Sequence, residues 1–415
     1  MQKKVTIIGG GIIGLSTAYF LQKESCEVTV VDTSNMNSGT SYSNAGYICP
    51  SHFIPLAAPG VVRMGLRWML DSSSPLYIKP SLNRDFLKWA WAFNSSATSR
   101  NVQKKAIYLR DFTLFSQELF LDIKKEAEFS FHYDKKGLLM LCQTERQLEK
   151  ELEILTMAKS LNVHAKEISK AELKILEPSI EINGVGGVYF KNDHHSTPSD
   201  FMNQLKAHLK SNGAHFFSNE TVVDFKIKRG KIENIVTDKQ TLYSDEFVMA
   251  SGSWSANLCQ KIGFKLLLQA GKGYSMNTQV STGISIPTIL AEAKIAVTPM
   301  DGFTRFAGTM EISGVNQNIN KKRVEVMAKA LNHYYPSIQL SKQEMEAASC
   351  GLRPLSPDGL PYIGKPESCK NMTIATGHAM LGWTLGPGTG KLVSELILNK
   401  KTALDISPYH PNRKF

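Results

Sequence analysis

Three glycines near the N-terminus have the spacing of a phosphate-binding turn. Gly9, Gly11 and Gly14 form the pattern Gly-x-Gly-x-x-Gly, after the apolar run at residues 4–8 and before a helical pattern that extends to about Lys23. Gly9 permits a tight turn, Gly11 lets a pyrophosphate approach the backbone, and Gly14 lets the helix pack on the strand. The N–H groups at the start of that helix attract phosphate. The pattern predicts a bound dinucleotide.

An acidic residue and a hydroxyl-rich loop indicate which dinucleotide is bound. Residues 27–31 predict a second strand that ends at Asp32, 18 residues beyond Gly14, where a carboxylate accepts hydrogen bonds from ribose hydroxyls and disfavours the 2′-phosphate of NADP. Residues 38–46 are mostly small and hydroxyl-bearing. Such a loop can follow a long diphosphate–ribityl chain and reach an isoalloxazine ring, which favours FAD over NAD. The alternative is a flexible surface loop.

The 415-residue chain is too long for one compact core, which indicates either two domains or one domain with a large insertion. Helical periodicity at 85–162 and strands within 262–311 interrupt a pattern typical of a nucleotide-binding domain. That pattern returns at 199–250, with a helix at 199–212 and strands at 214–217, 221–227 and 246–250, and the chain ends in a helix at about 389–399. We predict a discontinuous cofactor domain of residues 1–85, 193–260 and 350–415, and a substrate domain of residues 86–192 and 261–349.

Composition excludes several classes of protein. The six cysteines are widely spaced, which argues against a zinc site or a disulfide scaffold and favours a reducing compartment, the cytoplasm. The sequence has neither a signal-peptide pattern nor an apolar run of membrane-spanning length. A net charge of +11 would suit a phosphate-rich partner, but the lysines are scattered, and a solvated surface explains them as well.

Motifs along nearly the whole chain resemble the D-amino-acid dehydrogenases of the D-amino-acid oxidase and glycine oxidase superfamily. The motifs are Ser41-Tyr42-Ser43-Asn44-Ala45-Gly46, Ala57-Ala58-Pro59-Gly60, Lys272-Gly273-Tyr274-Ser275, Gly351-Leu352-Arg353-Pro354, Ser356-Pro357-Asp358-Gly359, Pro361-Tyr362-Ile363-Gly364, Thr376-Gly377-His378, Gly382-Trp383-Thr384 and Gly388-Thr389-Gly390. The resemblance implies an α/β fold in which a Rossmann-like FAD-binding domain of the glutathione-reductase type interleaves with an α+β substrate domain built on an antiparallel sheet.

The resemblance also implies the chemistry, a flavin-dependent oxidation of a D-amino acid by hydride transfer from Cα to flavin N5. A bidentate arginine is suited to hold the substrate carboxylate, and the Gly-x-Arg-Pro motif assigns that role to Arg353. The alternative is an arginine that braces the turn at Asp358. No general base is required if the neutral amine binds, and a helix starting near Gly388 would stabilise charge on the reduced flavin.

Two further side chains are weaker candidates for the substrate pocket. Tyr274 can donate to the carboxylate, although a core tyrosine is the alternative, and His52 follows the flavin loop, although a surface or hydrogen-bonded histidine is the alternative. His378 is expected to contribute only backbone, and Arg305 to be structural. Met380 stands in a segment where glycine oxidases carry an arginine, which favours a hydrophobic or ring-shaped substrate such as D-proline or hydroxy-D-proline.

The residues expected to contact FAD lie in five segments of the chain. They are Gly9, Gly11, Ile12, Ile13, Gly14, Asp32, Thr33, Gly39, Thr40, Ser41, Asn44, Ala45, Gly46, Val223, Ala250, Gly252, Trp254, Gly377, His378, Met380, Leu381, Gly382, Trp383 and Thr384. No metal is expected, because His194 and His195 are interpreted as loop residues.

The electron acceptor divides the alternatives. A dehydrogenase passes electrons to a quinone or a carrier protein, whereas an oxidase of glycine or D-amino acids uses oxygen. A flavin-dependent tRNA-modifying protein is a rival from another class, but the chain lacks a concentrated basic stripe, so no nucleic-acid partner is expected. Residues 61–70 alternate basic and apolar side chains and form a candidate for peripheral docking at the inner face of the membrane. The oligomeric state has no signature in the sequence.

Overall fold

The computed structural model describes residues 2–61, 74–79, 81 and 83–415. The strands are β1 (Lys4–Ile8), β2 (Glu27–Asp32), β3 (Tyr47–Ile48), β4 (Leu76–Ile78), β5 (Tyr133–Asp134), β6 (Leu138–Cys142), β7 (Ala165–Ser169), β8 (Gly186–Phe190), β9 (His194–Ser196), β10 (His215–Ser218), β11 (Val222–Lys228), β12 (Lys231–Thr237), β13 (Thr241–Leu242), β14 (Glu246–Met249), β15 (Gln269–Thr278), β16 (Thr288–Leu290), β17 (Ile295–Met300), β18 (Phe303–Ile312), β19 (Ser349–Leu355), β20 (Tyr362–Gly364) and β21 (Met372–Thr376).

The helices separate and cover these strands. They are α1 (Ile12–Lys23), α2 (Thr40–Ser43), α3 (Arg84–Ser96), α4 (Ser99–Glu126), α5 (Glu145–Ser160), α6 (Lys170–Leu176), α7 (Pro198–Ser211), α8 (Ser255–Lys261), α9 (Lys321–Tyr334), α10 (Lys342–Glu346) and α11 (Gly386–Ile397), with single-turn 3-10 helices at Gly252–Trp254, Ala379–Leu381 and Ser407–Tyr409.

A six-stranded sheet forms the centre of the nucleotide-binding half. Its order is β10-β2-β1-β14-β21-β20, and neighbouring strands are parallel except for the pair β20 and β21. Val5, Ile7 and Ile8 of β1 are all buried, as expected for a parallel strand covered on both faces. Parallel strands end at the same edge of the sheet, so the glycine turn after β1 and Asp32 at the end of β2 lie side by side.

Helix α1 packs against the C-terminal helix α11, which joins the two ends of the chain. The contact is close because Gly386 and Gly390 of α11 face α1: a β carbon on Gly390 would lie 2.6 Å from the carbonyl oxygen of Ser16. Glycine on one helix therefore permits the backbones to approach within a distance that alanine would prevent. The C-terminal segment is thereby fixed beside the glycine turn.

The other half contains a nine-stranded sheet with the main order β19-β15-β18-β17-β16-β6-β8-β7, while β4 pairs with the end of β18. Most neighbours are antiparallel, but β16 pairs with β6 and β18 with β4 in parallel. Helix α9 covers one face of this sheet with Val324, Met327 and Leu331. Two small sheets, β3-β9-β5 and β11-β12-β13, complete the fold.

The predicted elements are largely present, with corrections to three of them. The C-terminal helix begins at Gly386 rather than near Thr389, and only Thr288–Leu290 of the strand expected at 284–290 is extended. The interpretation of His194 and His195 as loop residues is wrong, because both belong to β9. The antiparallel pairing of β9 with β3 and β5 extends this segment into a strand.

Three elements do not follow the predicted domain boundaries, which stay a prediction. Strands β4 and β19 belong to the nine-stranded sheet although nearly all of their residues fall in the predicted cofactor domain, and Phe112 and Phe120 of α4 lie in the core beneath the nucleotide-binding sheet. The candidate docking segment at 61–70 lies outside the described residues except for Val61. Within the described part of the chain, no helix combines the length and apolar character needed to cross a bilayer.

Candidate functional site

The glycine turn is built as the sequence predicts. Gly9 has φ +115°, and a β carbon there would lie 2.7 Å from the carbonyl carbon of Ala250. A β carbon on Gly14 would overlap the carbonyl oxygen of Gly9, so both positions exclude larger residues. Gly11 is the N-cap of α1 and provides no side-chain hydrogen bond to the first turn. Gly10 and Ile12 donate their N–H groups to Asp32 and Ser41, so within the described residues the N–H groups of Gly11 and Ile13 are the ones that remain for a pyrophosphate.

Asp32 lies beside the glycine turn and accepts hydrogen bonds from it and from the segment that follows β2. Its Oδ2 accepts a hydrogen bond from the Gly10 backbone N–H at 2.7 Å, and its Oδ1 accepts from the backbone and the hydroxyl of Ser34, both at 2.7 Å. The neighbouring Thr33 is exposed. These bonds fix the carboxylate at the edge of the sheet, and each oxygen can accept further hydrogen bonds from a ribose.

The hydroxyl-rich loop is tied to both halves of the protein. Ser41 Oγ accepts from the backbone N–H of Ile12 at 2.9 Å, and the Leu352 N–H donates to Thr40 Oγ1 at 2.9 Å. Asn44 Oδ1 accepts from the Gly46 N–H at 2.7 Å, and Thr298 Oγ1 donates to the Ala45 carbonyl at 2.8 Å. The loop thus lies between the glycine turn and strand β19 and has a defined conformation.

Arg305 has a larger part in this loop than its sequence context indicates. The buried guanidinium donates through Nη1 to the carbonyls of Tyr42 at 2.6 Å and Asn44 at 2.8 Å, and through Nε to Asn277 Oδ1 at 2.9 Å. Burial lowers the pKa of Arg305 to about 10. An arginine on a distant strand therefore holds the loop expected to follow the cofactor.

Three large apolar side chains expected to contact FAD are open to solvent. Val223 is 39% exposed, Trp254 42% and Met380 45%. Val223 lies at a register shift between β11 and β12, so its backbone groups are outside the ladder of hydrogen bonds. A β carbon on Gly39 would meet no protein atom within 4 Å. The positions predicted to contact FAD therefore offer open space, backbone groups outside the strand ladder and exposed apolar surface.

The C-terminal segment forms the remaining wall. Gly377 has φ +83°, and Nε2 of the buried His378 ring lies 2.9 Å from Thr389 Oγ1. The following residues 379–382 are partly or fully exposed. Trp383 is buried and donates through Nε1 to Ser196 Oγ at 3.1 Å. Thr384 Oγ1 donates to the Tyr47 carbonyl at 2.9 Å. The single turn at residues 379–381 therefore precedes the N-terminus of α11 directly.

Arg353 lies on the face of the large sheet that meets the hydroxyl-rich loop. Gly351, two residues earlier on β19, shares this face, and a β carbon there would lie 2.9 Å from Ser43 Oγ. Arg353 Nη1 donates to the carbonyl of Thr309 at 2.8 Å. Burial lowers the pKa of Arg353 to about 10, so the guanidinium is still charged at neutral pH.

Asp358, whose turn Arg353 would brace under the alternative interpretation, pairs with other basic side chains. Asp358 accepts from Arg413 Nη2 at 2.8 Å and Nε at 3.0 Å, and Lys105 Nζ lies 3.5 Å away. Among the residues that the structure describes, no carboxylate forms an ion pair with Arg353. The turn at Asp358 is therefore braced from the C-terminus, and the Arg353 charge is available to a ligand.

Tyr274 is on the opposite face of the sheet from Arg353. Gly273 approaches the guanidinium, so its neighbour Tyr274 points the other way. The buried hydroxyl of Tyr274 donates to Glu311 Oε2 at 2.7 Å, and the Lys272 ammonium lies 3.2 Å from Glu311 Oε1. The structure thus places Tyr274 in a buried ionic cluster and not beside Arg353.

His52 belongs to a buried polar chain below the hydroxyl-rich loop. Its Nδ1 lies 3.1 Å from Ser51 Oγ, and Ser51 donates through its backbone N–H to Asp193 Oδ1 at 3.1 Å and through Oγ to Asp193 Oδ2. Asp193 is 1% exposed, and burial raises the pKa of its carboxyl group to about 7. Burial lowers the pKa of His52 to about 4, so the ring is neutral at physiological pH.

The two histidines of β9 point to opposite faces. His194 Nδ1 lies 2.8 Å from the hydroxyl of Tyr133, whereas the fully buried His195 packs edge-to-face against His132. His195, His132 and Asp134 have ligand-type atoms within 4.8 Å of one another. The prediction that the protein uses no metal stays a prediction.

Ser51 and Asp193 are functional candidates that the sequence does not predict, and the contact of Arg305, expected only to be structural, with the hydroxyl-rich loop is not predicted either. Arg305 is 28 residues from Asn277 and Asp193 is 142 residues from Ser51, so no local spacing connects them to the site. One signal was present: Asp193 precedes two histidines at the end of a buried strand, where polar residues commonly enter a site.

The residues present fit FAD. The glycine turn and α1 would hold the pyrophosphate, Asp32 the ribose, Val223 and Trp254 the adenine end, and residues 39–46 and 377–384 the ribityl chain and the ring system. The open cradle at Gly39 and the three exposed apolar side chains are the observations that support this fit.

Comparison with known proteins agrees with this geometry. Residues 4–396 match the DAO family, described as FAD dependent oxidoreductase. The chain is 31% identical over 398 residues to a D-amino acid dehydrogenase of Helicobacter pylori, covering 95% of each chain, and 31% identical over 420 residues to one of Vibrio vulnificus, covering 98% of this chain and 99% of that one.

Solved structures share the fold. A glycine oxidase from Geobacillus kaustophilus superposes with a TM-score of 0.79 at 21% identity over the whole of both chains, and an L-proline dehydrogenase from P. horikoshii with 0.73 at 20% identity over 99% and 97%. The predictions of the fold class and of FAD as cofactor are confirmed. The resemblance to the D-amino-acid dehydrogenases is confirmed as well, and the chain belongs to the DAO family of FAD-dependent oxidoreductases.

Proposed function

We propose that this protein oxidises a D-amino or cyclic imino acid at the carbon that bears the nitrogen, and passes the electrons to a quinone or a carrier protein. Curated relatives at 31% identity over nearly full length are D-amino acid dehydrogenases. Bound FAD supplies the two-electron acceptor for the oxidation. The chain itself provides the carboxylate-binding and positioning groups.

The observation that carries the proposal is that the Arg353 guanidinium forms no ion pair with any carboxylate of the described residues. A guanidinium held in a desolvated position without a carboxylate is costly, because burial favours its neutral form. A substrate carboxylate relieves this cost by a bidentate interaction, which also fixes two points of the substrate. The hydrogen bond to the Thr309 carbonyl pre-orients the guanidinium for this contact.

Met380 supports a substrate with an apolar or ring-shaped side chain. It is 45% exposed and lies on the segment that forms the C-terminal wall. A polar side chain would leave this surface unmatched, whereas a pyrrolidine ring such as that of D-proline would bury it. We therefore rank D-proline, hydroxy-D-proline and hydrophobic D-amino acids above glycine.

The test is anaerobic reduction of the purified yellow protein by a panel of D-amino acids, their L-enantiomers and glycine. We expect bleaching of the flavin absorbance near neutral pH by D-enantiomers, with cyclic and apolar ones fastest. A dye or quinone should restore the colour, while air should restore it slowly and with little peroxide. Absence of bleaching by every D- and cyclic amino acid would overturn the proposal, and rapid peroxide formation would identify an oxidase.

Two substitutions test the role of Arg353. Arg353→Met removes the charge at similar volume, and we expect kcat/KM for the best D-amino acid to fall about a hundredfold, as for loss of a charge-assisted bidentate contact. Arg353→Lys keeps the positive charge but lacks the two parallel N–H donors of a guanidinium, so its kcat/KM should lie between those of the wild type and Arg353→Met. FAD content should equal that of the wild type, and an unchanged KM in Arg353→Met would exclude the assignment.

We also propose that the protein works in a reducing compartment, the cytoplasm, with peripheral contact to the inner face of the membrane. The six cysteines are free thiols, and Cys26, Cys49, Cys142, Cys259 and Cys369 are buried. Co-sedimentation of the holoprotein with vesicles containing anionic lipid, compared with neutral vesicles, tests the membrane contact. Equal recovery in the supernatant from both would argue against it.

A further inference from the structure

The hydrogen bonds that link Asp193, Ser51 and His52 determine which nitrogen of the His52 ring carries the proton. Ser51 uses its backbone N–H and its hydroxyl proton to donate to the two oxygens of Asp193. A hydroxyl has one proton, so Ser51 Oγ can only accept from His52 Nδ1 while Asp193 is ionised. In a neutral imidazole, a proton on Nδ1 leaves an unshared electron pair on Nε2.

We propose that Asp193 is a positioning residue which, through Ser51, keeps His52 Nε2 as a hydrogen-bond acceptor for the N–H of the substrate amine. This inference rests on the proposed function and on the sequence prediction that His52 lines the amino-acid pocket. Within the described part of the chain, His52 forms a hydrogen bond through Nδ1 and none through Nε2. Arg353 would then hold the carboxylate and His52 the amine, which fixes the Cα–H between them.

The location of the chain supports this role. Ser51 and His52 follow the hydroxyl-rich loop by only five residues, and the backbone N–H of Cys49 lies 3.4 Å from Thr384 Oγ1 of the C-terminal wall. Asp193 precedes β9, whose Ser196 N–H donates to the Gly46 carbonyl at 2.9 Å. Both ends of the polar chain are therefore anchored to segments expected to contact the cofactor.

Protonation of the Asp193 carboxyl group reverses the donor and acceptor roles in the hydrogen bonds that link Asp193, Ser51 and His52. A protonated carboxyl donates to Ser51 Oγ, the serine hydroxyl then donates to His52 Nδ1, and the proton of the ring moves to Nε2, which can no longer accept from an amine. No lysine or arginine among the described residues pairs with Asp193, and the titratable groups that face this chain are Cys49, Tyr47 and Tyr189. Burial raises the pKa of all three, so each is neutral below pH 9. With the carboxyl group of Asp193 titrating at about 7, the reversal falls near neutral pH.

The variant Asp193→Asn imitates the reversed state at every pH. The backbone N–H of Ser51 requires an acceptor, so the amide oxygen should face it and the amide NH2 should donate to Ser51 Oγ. The hydroxyl of Ser51 must then donate to His52 Nδ1. Asp134→Asn is the matched control, because it removes a carboxylate from the neighbouring strand β5 without contact to Ser51.

The first measurement is independent of catalysis. Nitrogen-15 NMR of the histidine rings in the holoprotein, with His52 assigned by its absence in His52→Gln, reports the tautomer from the one- and two-bond couplings. We expect Nδ1–H in the wild type at pH 8.5, Nε2–H at pH 5.5, and Nε2–H at both values in Asp193→Asn. An Nε2–H tautomer in the wild type at pH 8.5 would overturn the proposal even if every variant failed to fold.

The second measurement is kinetic. The neutral fraction of the substrate amine rises with pH for every variant, so the informative quantity is the ratio of wild-type to variant kcat/KM for the best D-amino acid at each pH. For Asp193→Asn this ratio should be near one at pH 5.5 and reach about tenfold to a hundredfold at pH 8.5, the scale of a buried donor–acceptor mismatch, whereas for Asp134→Asn it should not change with pH. An unchanged profile in Asp193→Asn refutes the positioning role alone, whereas a wild type that no D-amino acid reduces refutes the proposed function.

Discussion

Gly273 and Arg353 lie on the same face of the neighbouring strands β15 and β19, and a β carbon on Gly273 would stand 2.5 Å from Cζ of the guanidinium. Any side chain larger than the hydrogen of glycine at position 273 would therefore require the Arg353 guanidinium to move. The Lys-Gly-Tyr motif thus has a physical basis in its glycine, which makes room for the arginine, while the tyrosine serves the other face.

Gly273→Ala should displace the Arg353 guanidinium by about an ångström, because the flexible end of a side chain moves more easily than the sheet. We expect KM for the D-amino acid to rise about tenfold or more with FAD content unchanged, since misplacement of a binding group is costly. Steady-state kinetics with a dye acceptor give the value. Ser275→Ala on the same strand is the control, and equal KM values in both variants would show that the site tolerates the displacement.

Asp32→Ala should weaken FAD binding. The substitution removes the acceptor of the Gly10 N–H and of Ser34 at the turn, together with the proposed ribose contact. We expect a rise in Kd of about tenfold to a hundredfold, the scale of one or two hydrogen bonds to a charged group. Titration of the apoprotein by quenching of flavin fluorescence measures it. Asp200→Asn at the start of α7 serves as control, and a Kd like that of the wild type in Asp32→Ala would remove Asp32 from the cofactor site.

Gly390→Ala should destabilise the fold, because the new β carbon would lie 2.6 Å from the Ser16 carbonyl oxygen, where neither helix backbone can yield. We expect a loss of about 1–3 kcal/mol in the free energy of unfolding, as for other overpacked positions. Urea denaturation of the apoprotein provides the number, so that FAD binding, in which Gly382 is expected to take part, does not enter the comparison. Gly382→Ala is a matched substitution whose β carbon would meet His378 at an ordinary 3.6 Å, and similar losses in both variants would contradict the packing argument.

Asp193 should make stability depend on pH in an unusual direction. Its carboxyl pKa is raised from 3.8 to about 7 by burial, so between these values the folded protein retains a proton that the unfolded chain has released. The free energy of unfolding therefore falls as pH rises through this window, and Asp193→Asn abolishes this contribution. The variant should gain about 1–4 kcal/mol relative to the wild type between pH 4 and pH 8. Urea unfolding at several pH values tests this, and a constant difference between the two proteins would exclude it.

Much of the cofactor site is determined by the sequence alone. The glycine turn, the following helix and Asp32 are adjacent in the chain, so local geometry and the common edge of parallel strands dictate their arrangement. The family motifs extend this to FAD and to Arg353, because each motif is a short segment with one conformation. The bounds of most strands follow from the same local pattern of apolar residues.

Only the tertiary structure decided which side chains meet. Arg305 donates to the carbonyls of Tyr42 and Asn44, which lie 263 and 261 residues earlier. Asp358 pairs with Arg413, so that no carboxylate of the described residues pairs with Arg353. Tyr274 faces away from Arg353 because adjacent residues of a strand point to opposite faces. The same alternation separates His194 from His195 once pairing with β3 and β5 makes that segment a strand. Such contacts depend on sheet pairing between distant segments, for which the chain carries no local signal. The three N-terminal glycines and Asp32 were therefore predictable from spacing, while the proposed tautomer of His52 required the fold.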